Sequence, residues 1–270
     1  MRKKIGLVLS GGGAKGYAHI GLLKILDEFN IKPDFVAGTS MGAIIGAAYC
    51  SGMSGKEIEE RIDEFNIMKL LDITISKNGL IRGDKLLQFF EQFYNNKKFE
   101  DLRFPLVVNA VDLITGQEIA FSKGDLSLAV RASMSIPGIF QPTQIKDMIL
   151  VDGGVKNNIP VSLIKENCDV IITSNVNYIE DFKSVNIRAN YLKKDTKELP
   201  SLPKVLIKTL TIMQSNPNLL KYAEQNSDVF LCPKELTKYS ISDFNKSKEI
   251  MLIGELEANK FKYRIRDLCK

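Results

Sequence analysis

Gly38-Thr39-Ser40-Met41-Gly42 has the Gly-x-Ser-x-Gly spacing of a nucleophile elbow. In such an elbow the serine sits on a sharp strand-to-helix turn, and the flanking glycines stand where a Cβ would clash. The chain contains one histidine, His19, which lies upstream of the serine in a different glycine-rich segment. A serine hydrolase ordinarily activates its nucleophile with imidazole. Three assignments are therefore open: Ser40 is not a nucleophile, His19 serves it, or a carboxylate does.

His19 falls about one turn into the helix expected after the glycine loop, where a locally hydrogen-bonded histidine is the plainer reading. In the chain order common among α/β-hydrolases the histidine comes last, and nothing after Ser40 fills that slot. Asp152 is the stronger candidate. It ends an expected strand, and Gly153-Gly154 allow the turn that would present its carboxylate. A carboxylate is a weak base in water, with a pKa of about 3.9, but partial desolvation raises it toward useful values. Asp112 and Asp84 are rival acids that lack the paired-glycine turn.

The segment Gly11-Gly12-Gly13-Ala14-Lys15-Gly16 follows an expected strand and opens a helix. It satisfies Gly-x-Gly-x-x-Gly, so a dinucleotide site is one reading. That reading wants an acid at the end of the second strand, whereas Asp34 stands at its beginning. A phosphate-binding P-loop fails because Tyr17 follows Gly16 where lysine is needed. The competing reading is an oxyanion hole: the backbone amides of Gly11, Gly12 and Gly13 turn toward one point, with Lys15 and Gly16 completing the loop. Each donor in such a hole contributes on the order of 3 kcal/mol to the transition state. A tight turn needing glycine for packing alone is the third reading.

These residues need a scaffold, and the chain predicts one. Short apolar runs alternate with helical patterns, which argues for a parallel sheet covered by helices. Strands are expected at Ile5–Leu9, Phe35–Ala37, Leu106–Val111, Met148–Val151, Val170–Thr173 and Val229–Leu231, with Glu118–Phe121 as an antiparallel neighbour. Helices are expected at Ala18–Phe29, Ala43–Tyr49, Lys56–Leu71, Asp84–Tyr94 and Lys246–Leu268. Leu202, Leu206, Leu210 and Met213, with Val205, form an apolar stripe on 202–214, flanked by Lys204 and Lys208. This stripe is either a surface helix packed on the sheet or an interfacial cover. Residues 182–203 are polar and lysine-rich, the best candidate for an exposed insertion. No linker divides the chain, so residues 1–270 are read as one domain.

Composition narrows the function. The net charge of +5 suits an anionic surface without requiring nucleic acid, because no basic run is interleaved with aromatics. Cys50, Cys168, Cys232 and Cys269 are scattered, which favours reduced thiols in a cytoplasm and leaves no zinc-ligand spacing. The apolar run after Met1-Arg2-Lys3-Lys4 is too short for a signal peptide and reads as a buried strand. No apolar run reaches the roughly 18 residues of a membrane-spanning helix. Membrane contact is expected to be peripheral, at the inner face.

The glycine loop, the serine elbow and Asp152-Gly153-Gly154, in that order, resemble the patatin-like phospholipase family. Tyr17-Ala18-His19-Ile20-Gly21 resembles its bacterial members, and Arg131-Ala132-Ser133 with Ile136-Pro137-Gly138-Ile139-Phe140 resembles the segment leading to their aspartate. The likeness covers roughly residues 5–175. Lys15 stands where arginine is commoner. The resemblance implies a three-layer α/β/α fold with a mostly parallel central sheet. It also implies a Ser40–Asp152 dyad, a glycine-rich oxyanion loop, a lipid ester as substrate, and no metal or other cofactor. The alternatives are a nucleotide-binding module and a lipid-binding regulator with little turnover.

Overall fold

The computed structural model of the chain describes residues 2–61, 81–178, 202–214 and 216–270. Its strands are β1 (Ile5–Leu9), β2 (Phe35–Gly38), β3 (Leu106–Asp112), β4 (Glu118–Phe121), β5 (Thr143–Ile145), β6 (Met148–Asp152), β7 (Val170–Ser174) and β8 (Val229–Leu231). They form one sheet in the order β5-β6-β3-β2-β1-β7-β8, with β4 pairing to β3 off that path. From β3 to β8 the neighbours are parallel; β4, β5 and β6 add an antiparallel end.

The alternation of side chains along a strand sorts the core to the two faces of this sheet. Leu7, Leu9 and Val36 join one apolar cluster with helices α1 (His19–Glu28), α2 (Met41–Cys50), α4 (Asp84–Phe93) and α8 (Ser247–Leu268). Val8 and Ala37 face the other way, against Val161, Ile164 and Ala223 of the short 3-10 turns after residue 160 and helix α7 (Pro217–Gln225). The central strands are buried on both faces, as a parallel sheet requires. Every residue of α2 is buried, which explains why its sequence is apolar all round instead of striped.

Register decides where the chemistry falls. Leu9 of β1 stands level with Gly38 of β2 on one side and Ser174 of β7 on the other. The glycine loop and the serine elbow therefore leave the sheet at the same edge. Strand β3 continues to Asp112, past the Val108 that faces Gly38. Antiparallel β6 pairs along this extension and runs back toward the elbow, ending with Asp152 opposite Ala110. The acid reaches the site from an antiparallel strand, not from the parallel set.

The expected strands all form, with ends that differ by a residue at most. Of the helix expected over Lys56–Leu71, α3 (Gly55–Glu60) forms behind a capping box of Ser54 and Glu57, and residues 62–80 lie outside the described part. The candidate insertion, 182–203, also lies outside it up to residue 201. Three elements went unanticipated: β5, α7 and α5 (Leu126–Ser133). The last has only eight residues, too few to stand out as a helix in the sequence; its start is marked by Asp125, whose carboxylate accepts the Leu128 amide. No helix among the described residues is long and apolar enough to cross a membrane.

Candidate active site

Ser40 occupies the turn between β2 and α2 with φ 52° and ψ −119°, a conformation L-residues adopt only under constraint. The constraint is visible on both sides. A β-carbon at Gly38 would lie 2.6 Å from the Gly42 carbonyl, and one at Gly42 would strike the Leu9 carbonyl and lie 2.6 Å from that of Ser10. Glycine at both positions lets β2 turn into α2 directly against the end of β1. The Ser40 amide donates to Ser133 Oγ at 2.8 Å, so the end of α5 holds the turn from behind. Ser133 is a positioning residue that spacing alone could not reveal.

Asp152 is fully buried. Its Oδ1 accepts the Gly154 amide at 2.7 Å, a bond that the paired-glycine turn makes possible. Its Oδ2 is buried without a well-formed hydrogen bond among the described residues. Burial pushes the carboxyl up to about 6, while the nearby Ser40 hydroxyl and the Gly154 amide pull it down. The Ser40 hydroxyl is therefore close enough to lower the carboxyl's pKa without making a well-formed hydrogen bond to it. A carboxyl near 6 is ionised at neutral pH and still basic enough to take a serine proton in passing.

His19 is placed elsewhere. Its Nε2 donates to the Ser10 carbonyl at 2.9 Å, and its Nδ1 accepts the Ser174 hydroxyl at 2.8 Å. A carbonyl can only accept, which fixes the proton on Nε2 and leaves no lone pair for Ser40. Complete burial lowers its pKa to about 4, against the smaller opposing effect of the Ser10 carbonyl. His19 ties the end of β1 to the end of β7 as a neutral imidazole. The rival acids are also accounted for: Asp112 caps its own turn through the Thr115 hydroxyl and three amides, and Asp84 pairs with Arg82 at 3.1 Å.

The glycine loop differs in detail from the expected oxyanion cradle. The Gly11 amide donates to the Asn158 carbonyl at 3.1 Å, so it is not free to meet an oxyanion. Gly16 serves packing instead, since a β-carbon there would collide with the Met41 side chain. The Lys15 amide bonds the Gly12 carbonyl, and its half-buried ammonium is held below its ordinary pKa by burial and by Lys208, against Asp243. Gly12 and Gly13 keep amides without a partner among the described residues, and Gly13 has φ 55°. Side chains or backbone of Asn158, Val176 and Ile241 stand where β-carbons of Gly11, Gly12 and Gly13 would be. The loop needs glycine because protein packs against it. The dinucleotide reading weakens further because Asp34 bonds the Ile5 amide at the opposite end of the sheet.

A buried polar network braces the acid. Thr39 Oγ1 donates to Asn109 Oδ1 at 2.8 Å, and Asn109 Nδ2 and Asn157 Nδ2 both donate to Glu118 Oε1. The Asn109 side chain also fills the space a β-carbon at Gly153 would need. Helix α6 (Leu202–Gln214) lies over the opposite side. Its Gln214 rests on Gly154 and its Leu206 on Gly138, and Ser40 is left only 4% exposed. The single apolar stripe expected on this helix divides. Leu206 and Leu210 turn inward, while Val205 and Met213 join Ile212 on the outside, because the contact with Gly138 and Gly154 is narrow. The side chain of Leu202 lies outside the described part.

The family model for Patatin-like phospholipase matches residues 7–164, which include the glycine loop, Ser40 and Asp152. An NTE family protein of Mycobacterium tuberculosis is 34% identical over 185 residues, covering 64% of this chain and 49% of its own length. Lysophospholipase NTE1 of Yarrowia lipolytica is 27% identical over 97% of this chain but only 20% of the yeast protein. The chain spans about half the length of the mycobacterial relative. Among solved structures, VipD from Legionella pneumophila superposes with a TM-score of 0.62 at 16% identity, over 97% of this chain and 67% of VipD. ExoU in its complex with SpcU from Pseudomonas aeruginosa gives 0.53 at 16%, over 98% of this chain and 52% of ExoU. Those two likenesses concern the fold, a mixed sheet between helical layers. With more than half its length matched by the family model, this chain belongs to the patatin-like phospholipase family.

Proposed function

We propose that the chain is a serine acyl hydrolase that cleaves fatty-acyl esters of lipids through Ser40 and Asp152. The observation that carries this reading is the strained Ser40 turn facing a fully buried carboxyl whose Oδ2 has no other partner. Asp152 takes the hydroxyl proton as Ser40 Oγ attacks the ester carbonyl, and the free amides of Gly12 and Gly13 receive the developing oxyanion. The departing alcohol takes the proton from Asp152, and water then releases the fatty acid from the acyl-enzyme. No step calls on a cofactor. The name of the yeast relatives makes a lysophospholipid the first substrate to assay.

A fluorophosphonate probe tests the dyad. Ser40→Ala is expected to abolish labelling and Asp152→Asn to slow it by about 10³-fold. His19→Gln is expected to keep labelling within about tenfold while lowering the melting temperature by several degrees, through loss of one buried bridge. Dependence on His19 as complete as on Ser40 would overturn the dyad.

The same reading gives α6 a role at a lipid surface. Its outer side exposes Val205 (42%), Ile212 (64%) and Met213 (44%) beside Lys208, on the element that covers the site. Apolar side chains beside a lysine suit an anionic bilayer. We expect Ile212→Ser/Met213→Ser to weaken binding to phosphatidylglycerol vesicles about tenfold or more, at about 0.8 kcal/mol per buried methylene. Hydrolysis of a short soluble ester should stay within about twofold. Equal loss of both activities would remove α6 from the interface. The four free thiols suit a reducing compartment.

A further inference from the structure

We infer that Asn158 positions the water that frees the acyl group from Ser40, an inference that rests on the acyl-enzyme reading above. Four buried side-chain polar atoms have no hydrogen-bond partner among the described residues: Ser51 Oγ, Ser127 Oγ, Asp152 Oδ2 and Asn158 Oδ1. The two serines carry a hydroxyl that rotates and can donate. The other two can only accept while Asp152 is ionised, and both belong to the same site. Buried acceptors left unpaired are destabilising by about 1–3 kcal/mol each; the Ser40 hydroxyl can serve Asp152 before acylation, but once Ser40 is acylated both acceptors call for another donor.

The orientation of the Asn158 amide is fixed by its surroundings. Its Nδ2 donates to the Gly11 carbonyl at 3.3 Å, and the Asn158 main-chain carbonyl accepts the Gly11 amide at 3.1 Å. Exchanging the amide's N and O would set oxygen against oxygen at Gly11. Oδ1 is left on the side away from the Gly11 carbonyl, in the neighbourhood of Gly154 and Gly11. A β-carbon built at Gly154 would lie 2.7 Å from Asn158 Oδ1 and 2.9 Å from Asp152 Oδ1, and one built at Gly11 would meet Asn158 Oδ1 and lie 3.3 Å from Ser40 Cβ. Oδ1 thus shares the neighbourhood of Asp152 and Ser40, with Gln214 Nε2 also beside Gly154, at 2.6 Å from the same β-carbon position. Asn158 itself is 1% exposed, so solvent does not satisfy it at random.

A water molecule has two protons to donate, and two acceptors wait for it. One O–H points to Asp152 Oδ2 and the other to Asn158 Oδ1, which aims a lone pair on the water oxygen at the acyl carbon. The oxygen attacks as its proton passes to Asp152. The tetrahedral intermediate then collapses, the bond from acyl carbon to Ser40 Oγ breaks, and Oγ recovers the proton from Asp152. The products are the free serine and the fatty acid. In acylation the Ser40 hydroxyl supplies the attacking oxygen, so Asn158 matters chiefly to the second half of the cycle. It is a positioning residue, acting through the water.

The test separates the two half-reactions with p-nitrophenyl butyrate and the fluorophosphonate probe. Asn158→Ala also loses a donor to the Gly11 carbonyl, so its labelling should slow no more than that of Asn177→Ala, while its turnover should fall about a further tenfold. It should show a burst of nitrophenol and an acyl adduct on Ser40 by intact mass. Asn177→Ala is the comparison, because Asn177 Nδ2 also donates to the Gly11 carbonyl, at 2.6 Å, and carries no free acceptor into the site. It should slow both half-reactions alike. Parallel slowing in Asn158→Ala, with no burst and no adduct, would reduce Asn158 to a clamp on Gly11 and overturn the inference. Should that variant not fold, a high-resolution crystal structure of the native chain decides: an ordered water shared by Asp152 Oδ2 and Asn158 Oδ1 supports the assignment, and its absence from a well-ordered site removes it. Failure of the acyl-enzyme reading itself looks different, as the native chain would then give no Ser40-dependent labelling.

Discussion

Asp152→Asn is expected to lose about 10³-fold in acylation rate and, at pH 8, to unfold less readily than the native chain. The two effects have one cause. Burial lifts the Asp152 carboxyl to about 6, above the roughly 3.9 of an unfolded aspartate. The folded state therefore binds this proton more tightly than the unfolded state does. The stability so gained is complete below about pH 4 and is lost as pH rises through 6. At pH 8 the chain holds a buried carboxylate, and a separation of about two units corresponds to roughly 3 kcal/mol.

Asparagine has the same shape and no charge, and its Oδ1 can still accept the Gly154 amide. Unfolding in denaturant at two pH values checks the argument. The variant's advantage should approach 3 kcal/mol at pH 8 and shrink toward zero near pH 4, within the spread of such figures. Labelling of the native chain should rise through about pH 6 to a plateau, and the residual rate of the variant should not. Equal destabilisation at both pH values would mean that Asp152 is held by contacts the structure does not give it.

Much of this site was legible because its chemistry needs residues that also control the backbone. The Ser40 elbow and the Asp152 turn could be read from glycines that a turn requires, and β1, β2 and β7 from apolar runs that parallel strands require. The glycine loop was legible only in outline. Sequence shows that Gly11, Gly12 and Gly13 can turn their amides; it does not show that the Asn158 carbonyl already holds the first. His19 illustrates the same limit. Its partners, Ser10 and Ser174, are brought together by pairing of β1 with β7, a contact between distant parts of the chain. The approach of β6 was equally hidden, because an apolar run gives strand but not direction. Ser133 and Asn158 carry no periodicity at all, and their roles arise from what the fold sets beside them.

Gly42→Ala carries the other large expected effect, and it tests whether elbow and glycine loop are one mechanical unit. The added methyl meets the carbonyls of Leu9 and Ser10, which are backbone and cannot swing aside as a flexible side chain would. Either α2 lifts from the sheet or the end of β1 shifts. Both carry Ser40 and the Gly12–Gly13 amides apart, because the first is fixed to α2 and the second follow Ser10 by way of Gly11 alone. Overpacking against rigid backbone should destabilise by about 3 kcal/mol, or roughly 8 °C in melting temperature for a chain of this size. Misplacement of about 1 Å should lower fluorophosphonate labelling by about 10²-fold. Gly116→Asn supplies the contrast. That glycine has φ 67°, which asparagine tolerates, and a β-carbon there meets nothing within 4 Å, so stability and labelling should hardly move. If Gly42→Ala melts early but labels at the native rate once folded, the elbow keeps its geometry independently of β1. The free amides of Gly12 and Gly13 would then lose their claim to the oxyanion.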